Sequence, residues 1–501
     1  MHRIAIWTAA LLGLMGTALA QPNRVPTSST SGAYTTGETS LGTLDAEVLS
    51  PVVSGDGRHF AYIAHRGEKS CLIVDGQAGA EYDAVAEGSP IFSPDGQRVA
   101  YAAKTGRKWF VVVDGRAGAE HDAIAPGALI FSPDSKRLAY TAVMGKKRLV
   151  VVDGQAGRSY EGVGNPIFSP DSKHAAYGAA KGNKQFAVLD GQEALRKFDG
   201  IGGIAFSPDS KRMAYGATRG TKESVVVDDQ AGPEYDLVFA GTLVFSPDSK
   251  RLAYGAKKSG KSLVVVDGQA GPGYGSIMKG SPLFSPDSKR VAYVAEKGKC
   301  RLVVVDGREG PAYDITFRLP PLFSPDSKRV AYVAHKDKKW LMVVDGEAGR
   351  SYDAVTDPLF SPDSKHIAYA AREAQKWSVV VDGKAGRGHQ KLAGGPLFSP
   401  DAKRLAYVAK TGEKWCVMED SQAGVEFDLI FPGTLISSPD SKHLAYGAKT
   451  GEKSVAVVDG HPGPEYDAIV KGGPAFRTDG VLEYLAVKGR ALYRVQCGPV
   501  R

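Results

Sequence analysis

The chain has 501 residues, among them 60 glycines and 29 prolines, and a formal charge of +8. A hydrophobic share of 43% allows a large buried core, and abundant glycine with few long apolar runs favours short strands and tight turns over long helices. The basic excess permits an acidic partner without demanding one. Cys71, Cys300, Cys416 and Cys497 are widely spaced and lack any C-x-x-C pair, which argues against a zinc site and a disulfide-built mini-fold.

The chain opens with MHRIAIWTAALLGLMGTALA: a basic start, a short apolar run and a small-x-small end. This is the pattern of a secretory signal over residues 1–20, cleaved after Ala20, so the mature protein is expected in the periplasm or secreted, with no later transmembrane segment. Residues 21–41, rich in Ser, Thr, Gly and Pro, read as a flexible tether.

Everything after the tether is repeat. The residue before Ser-Pro-Asp or its variant recurs at Val53, Phe92, Phe131, Phe168, Phe206, Phe245, Phe284, Phe323, Phe360, Phe398, Ser437 and Phe476, at spacings of 37 to 39 residues. Twelve units follow from this count. In each, a short first strand ends at a PLFS-like sequence and PDSK makes a turn, with proline presetting φ and Asp or Ser bonding back to the backbone. RLAYGA is a second strand, a Gly/Lys hairpin follows, and the β-branched SLVVVDG is a third. EYDAI is expected as the outer fourth strand. Repeated four-stranded antiparallel units with glycine-rich turns describe the blades of an all-β propeller.

The last unit, PAFRTDGVLEYLAVKGRALYRVQC, supplies only three strands, whereas TLDAEVLSPVVSGDG near the start matches a strand-four-to-strand-one segment. The N-terminus is therefore expected to provide the missing strand and close the ring, leaving no open edge. Blade angles favour two six-bladed rings, residues 42–280 and 281–501, because a twelve-bladed ring has a central hole too wide for side chains to fill. One large closed ring is the alternative.

FSPDSKRLAY, with FSPDGQRVAY in the second unit, resembles the WD40-like repeat called PD40, found in TolB-type propellers and in propellers that accompany prolyl oligopeptidase-type hydrolases. The resemblance covers nearly all of residues 42–501 and implies the fold; a role in envelope integrity follows only by analogy. No G-x-S-x-G nucleophile elbow is present to suggest the hydrolase.

The repeated motifs offer little chemistry. One Asp per Ser-Pro-Asp turn, followed by Lys, is a poor calcium site, so this Asp is read as closing a turn; no metal or cofactor is expected. The Asp of VVDG is read as capping its local turn, the repeated tyrosine as packing between blades, and His174, His366 and His443 as surface substitutes for arginine. The two-to-three hairpins differ. Lysine stands six residues before the VDG aspartate in ten of the first eleven units, Lys69, Lys108, Lys147, Lys184, Lys222, Lys261, Lys339, Lys376, Lys414 and Lys453, with Cys300 as the exception. The next position is mostly polar, hence expected to be exposed, yet it carries Trp109, Trp340, Trp377 and Trp415. Antiparallel blades would gather these residues on one rim, polarising charge there and setting exposed aromatics beside cations. A partner surface is expected at Lys108, Trp109, Lys147, Lys261, Lys339, Trp340, Lys376, Trp377, Lys414 and Trp415.

The chain is thus expected to be a non-catalytic binding or scaffolding protein of the bacterial cell envelope. Its partner is expected to be an envelope protein or an anionic or glycan polymer, with nucleic acid disfavoured by export. The alternative is a propeller enzyme, a lyase or glycan hydrolase, acting at the central channel.

Overall fold

A computed structural model describes residues 28–31, 34–45, 48–314 and 320–499. Within them the chain forms twelve small antiparallel sheets and no helix, a twelve-bladed β-propeller. The signal-sequence expectation falls on residues 1–20, outside the described residues. Blade 6 shows the common plan. A first strand in two pieces, Leu237–Val238 and Val244–Phe245, lies on Leu252–Lys258, which pairs with Lys261–Val266, and then with a short outer strand, Gln269–Ala270. The expected EYDAI strand is split. Gln77–Tyr82 ends blade 1 as its outer strand, and Ala84–Val85 begins blade 2, because Asp83 turns the chain from one blade to the next.

The core lies between blades. Strand two carries a buried tyrosine that meets, edge to face, the aromatic residue ending the previous blade's outer segment. Tyr82 meets Tyr101 at 6.2 Å, Tyr235 meets Tyr254 at 6.0 Å and Tyr466 meets Tyr484 at 6.1 Å. This edge-to-face geometry is the one aromatic pairs favour. The repeated tyrosine is therefore an inter-blade packing residue, as its sequence position implies.

Polar staples add direction at the Ser-Pro-Asp rim. Asp134 accepts from the Ser132 hydroxyl at 2.6 Å and from the Lys136 amide at 3.1 Å, which closes its turn. The second serine of SPDS, held at φ of 61–68° in eight of these turns, serves the neighbouring blade. Ser135 Oγ accepts from the Asp95 amide at 3.0 Å and Ser172 Oγ from that of Asp134 at 2.9 Å, and the pattern runs on to Ser364. The arginine two residues later spans the same gap. Arg137 donates to Asp153 of its own blade at 2.8 Å, reaches the Lys173 carbonyl of the next, and lies 5.2 Å from the Phe168 ring centroid. The VDG aspartate is thus more than a cap of its own turn, because its other oxygen accepts from the first amide of strand two, as Asp153 does from Leu138 at 3.0 Å. His174, His366 and His443 are likewise more than surface substitutes, since each ring nitrogen lies 2.7 Å from the VDG aspartate that arginine holds elsewhere.

These contacts correct the expected division into two rings. Blade 6 packs on blade 7 through Ala253, Val264 and Tyr274 against Phe284, Tyr293 and Val304, with Asp248 stapled to Ser288 across Gly280 in the chain. Blade 12 packs on blade 1 through Leu485 and Leu492 against Phe60, Tyr62 and Ile73. Residues 42–280 and 281–501 therefore form one closed ring. Most interfaces use the same short-range staples, and the Asp248–Ser288 bond holds blades 6 and 7 just as other chain neighbours are held.

Ring closure also corrects the tether. Tyr34–Thr43, which begins within the expected 21–41 linker and runs two residues past it, is a strand paired with Ala491–Pro499 and supplies the missing edge of blade 12. Tyr34 donates to Asp459 at 2.9 Å and also bonds His443, while Tyr466 donates to Glu38 at 2.5 Å. At the seam Glu483, only 3% exposed, sits among Arg58, Arg494 and Arg477, with Arg58 nearest at 3.0 Å. The entering strand also crowds Gly76: a Cβ there would lie 1.6 Å from the Leu41 carbonyl oxygen. The equivalent Gly115 has open space.

Gly115→Ala, with φ at +78°, is expected to cost only the left-handed strain of about 1–2 kcal/mol. Gly76→Ala adds a backbone collision and is expected to cost about 4 kcal/mol or more; equal urea midpoints for the two variants would refute the placement of the N-terminal strand. The Ser-Pro-Asp turns set the response to acid. The Ser169 hydroxyl and then the Lys173 amide hold the Asp171 carboxyl at about 2, and the same pair of contacts depresses its counterparts. A folded-state pKa below the unfolded value stabilises above the unfolded pKa and ceases to do so as pH falls through the folded one. Urea midpoints are expected to hold down to about pH 5 and to fall steadily from about pH 4 towards pH 2.

Candidate binding surface

The hairpins between strands two and three, together with the blade-to-blade crossings such as Asp83, form the second rim. All ten sequence-nominated lysines lie at these hairpins, one per blade in blades 1 to 6 and 8 to 11. Their ammonium groups are mostly occupied. Lys69, Lys108, Lys184, Lys222, Lys339, Lys414 and Lys453 donate to Asp83, Asp122, Asp199, Asp236, Asp353, Asp428 and Asp467 at 2.5–2.7 Å. The second oxygen of each aspartate accepts a backbone amide from the following blade's hairpin at 2.6–3.1 Å, as Asp122 does from Gly145. Each carboxylate thereby ties its own blade to the next. The bond to Asp83 raises the Lys69 ammonium above its usual range, and partner aspartates do the same for Lys108, Lys222 and Lys453.

The expected polarisation of these lysines onto one rim is therefore largely cancelled. Sequence reading missed it because Asp83 and its counterparts stand 14 or 15 residues from their lysines, across a strand and a turn. Lys147, Lys261 and Lys376 are different: Glu161, Gly275 and Gln390 replace the aspartate, and among the described residues no carboxylate lies within ion-pair distance of these three ammonium groups.

The tryptophans are half-buried rather than exposed. Each lies beside the cross-strand partner of its hairpin: Trp109 beside Lys104, 5.8 Å from its ammonium; Trp340 against His335 at 4.8 Å; and Trp377 beside Arg372 at 5.7 Å. Trp415 pairs with Lys410 across the hairpin and packs against the core between blades 10 and 11. The residue five places before each tryptophan could have revealed this. Trp340, Trp377 and Trp415 occupy successive blades, one to each, and Trp109 lies on the far side of the ring, so the four form no single cluster.

Cations outside the lysine position carry the surplus. Arg107 on blade 2, Lys146 and Arg148 on blade 3, Lys257 and Lys258 on blade 6, Lys299 on blade 7, and Lys336 and Lys338 on blade 8 stand at or beside hairpin tips without an ion-pair partner among the described residues. Glu68, Glu413 and Glu452 occupy the tips of blades 1, 10 and 11. The basic side is thus an arc from blade 2 to blade 8. Two hollows were distinguished by size: one of about 10 Å3 beside Arg404 and Glu419 has room for a single water, and one of about 480 Å3 lies at the seam of blades 3 and 4.

No family model matches the sequence, and no curated protein matches it. Among solved structures, a eukaryotic initiation factor is similar at 17% identity, over 67% of this chain and 96% of that one, with a TM-score of 0.35. TolB from Acinetobacter baumannii is similar at 16% identity over 52% and 77%, with a TM-score of 0.24. The β-propeller domain of the Trilobed protease from Pyrococcus furiosus is similar at 14% identity over 53% and 96%, with a TM-score of 0.26.

Lysine-directed acylation followed by mass spectrometry checks the pairing scheme. Among the ten hairpin lysines, Lys147, Lys261 and Lys376 are expected to label first, and the seven aspartate-bound lysines more slowly. Uniform labelling would show that the pairs do not persist in solution.

Proposed function

We propose that the protein is an exported, non-catalytic propeller of the PD40 kind. It would scaffold or bind within the cell envelope by engaging an anionic polymer or acidic protein along the basic arc of its hairpin rim. The observation that carries this reading is the contrast between the two rims. At the Ser-Pro-Asp rim the typical unit sets Lys and Arg against two aspartates, as Lys136 and Arg137 stand with Asp134 and Asp153. At the hairpin rim the aspartates neutralise only the lysines they bind, which leaves Lys146, Lys147, Lys257, Lys258, Lys261 and Lys338 uncompensated. Exposed cations on a rigid ring add their fields at a polyanion and give salt-sensitive, rapid association.

The tryptophans enter this reading as rim packing that stiffens hairpins on blades 8 to 10, not as stacking platforms. The signal-like leader supports export, and the ring supplies a rigid frame on which weak contacts sum.

The combined variant Lys257→Glu, Lys258→Glu, Lys261→Glu is expected to lower affinity for an anionic envelope polymer, with polygalacturonate as probe, by about tenfold or more and to flatten its salt dependence. Lys136→Glu with Lys173→Glu, on the opposite rim, is expected to leave binding unchanged. Equal losses from both rims would overturn the assignment to the hairpin arc.

A further inference from the structure

The seam between blades 3 and 4 departs from the repeat at two neighbouring places. Where most units have aspartate, Glu161 stands, and its longer side chain reaches the Gly182 amide at 3.0 Å while leaving Lys147 unbound. Where most units have alanine in the outer strand, as at Ala78 and Ala117, blade 4 has Glu193. Its carboxylate accepts from the buried Tyr160 hydroxyl at 3.3 Å, with Arg158 at 3.6 Å and Lys197 at 3.8 Å. Between these residues lies the hollow of about 480 Å3, also lined by Ser159 and Lys181.

The charges around it are unevenly used. Glu161 is committed to a backbone amide, and Glu193 is fixed on the wall by three donors. Among the described residues Lys147 and Lys181 have no carboxylate within ion-pair distance, and Arg158 is 67% exposed beyond its long contact with Glu193. Tyr160, its pKa pushed up to about 12, chiefly by burial, remains a neutral donor under physiological conditions. The lining thus presents both free ammonium groups and, beside Arg158, a carboxylate with a serine hydroxyl. A ligand that satisfies both needs an oxyanion and hydroxyl donors a few ångströms apart in one small molecule.

We infer that this seam binds a monosaccharide bearing an oxyanion, a hexuronate or a sugar phosphate. The oxyanion lies between Lys147, Arg158 and Lys181, and sugar hydroxyls donate to Glu193. The volume suits one sugar ring with its solvent, within the range of small-molecule sites. Blade 7 offers the contrasting case: Glu309 also replaces the alanine, but it takes up the hairpin Lys297 at 2.7 Å and leaves that ammonium no longer free. This site goes beyond the arc proposed above and stands on the seam's own geometry.

Calorimetric titration of the full chain at low ionic strength, with galacturonate, glucose 6-phosphate, inorganic phosphate and galactose as probes, tests it. At least one acidic sugar is expected to saturate a single site, more tightly than phosphate, with galactose silent. Lys147→Gln and Lys181→Gln are each expected to weaken that sugar about fivefold to tenfold. Glu193→Gln is expected to weaken the sugar while leaving phosphate unchanged, and Lys376→Gln, on blade 9 outside the arc, to change neither. No saturable binding of either acidic sugar, or equal losses from Lys147→Gln and Lys376→Gln, overturns the site. Because polygalacturonate binding is read on the blade 6 variant, the arc can fail while this site stands, or the reverse.

Discussion

The structure depends on carboxylates that two blades share. A single four-stranded sheet of about 38 residues cannot hide both its faces, so each blade needs a neighbour. Apolar contact alone would let neighbours slide. Aspartates such as Asp122 fix the register, because one oxygen holds a lysine of the same blade and the other a backbone amide of the next. The Ser-Pro-Asp rim repeats the logic with Ser135 and Arg98, so most wedges are pinned at both ends. Individually these exposed bonds are weak. Their number and their regularity around the ring make the arrangement specific.

The same bonds account for ring size. A staple that reaches only the next repeat cannot distinguish blade 6 from any other, and the chain contains no unit without one face to offer. Growth therefore continues to the end of the repeats, where Tyr34–Thr43 covers the last edge. The closing seam has a different chemistry. Glu483 and its arginines replace the common pattern there, as a junction between non-consecutive parts of the chain requires.

Function in such a ring is carried by exceptions. Where lysine meets aspartate, charge is used up internally and the rim is inert. Where the aspartate becomes Glu161, Gly275 or Gln390, an ammonium is released to solvent. The repeat thus hides most of its charge in construction, and its irregular units leave ammonium groups free for the partner proposed above.

The twelve-unit count, the antiparallel four-stranded blade, the closing role of the N-terminus and the packing role of Tyr101 and its counterparts were legible in the amino-acid order. They are encoded by period, turn residues and alternation, all local properties. The candidate surface was only half legible: the lysines stand where expected, but Asp83 and its counterparts quench most of them, and Trp109 and Trp340 lean on hairpin neighbours instead of facing solvent. One ring rather than two, the strand at Tyr34–Thr43 and the hollow beside Glu193 were decided by tertiary structure alone. Each arises where residues far apart in the chain meet across a blade boundary, and nothing in a local repeat states which boundary that will be.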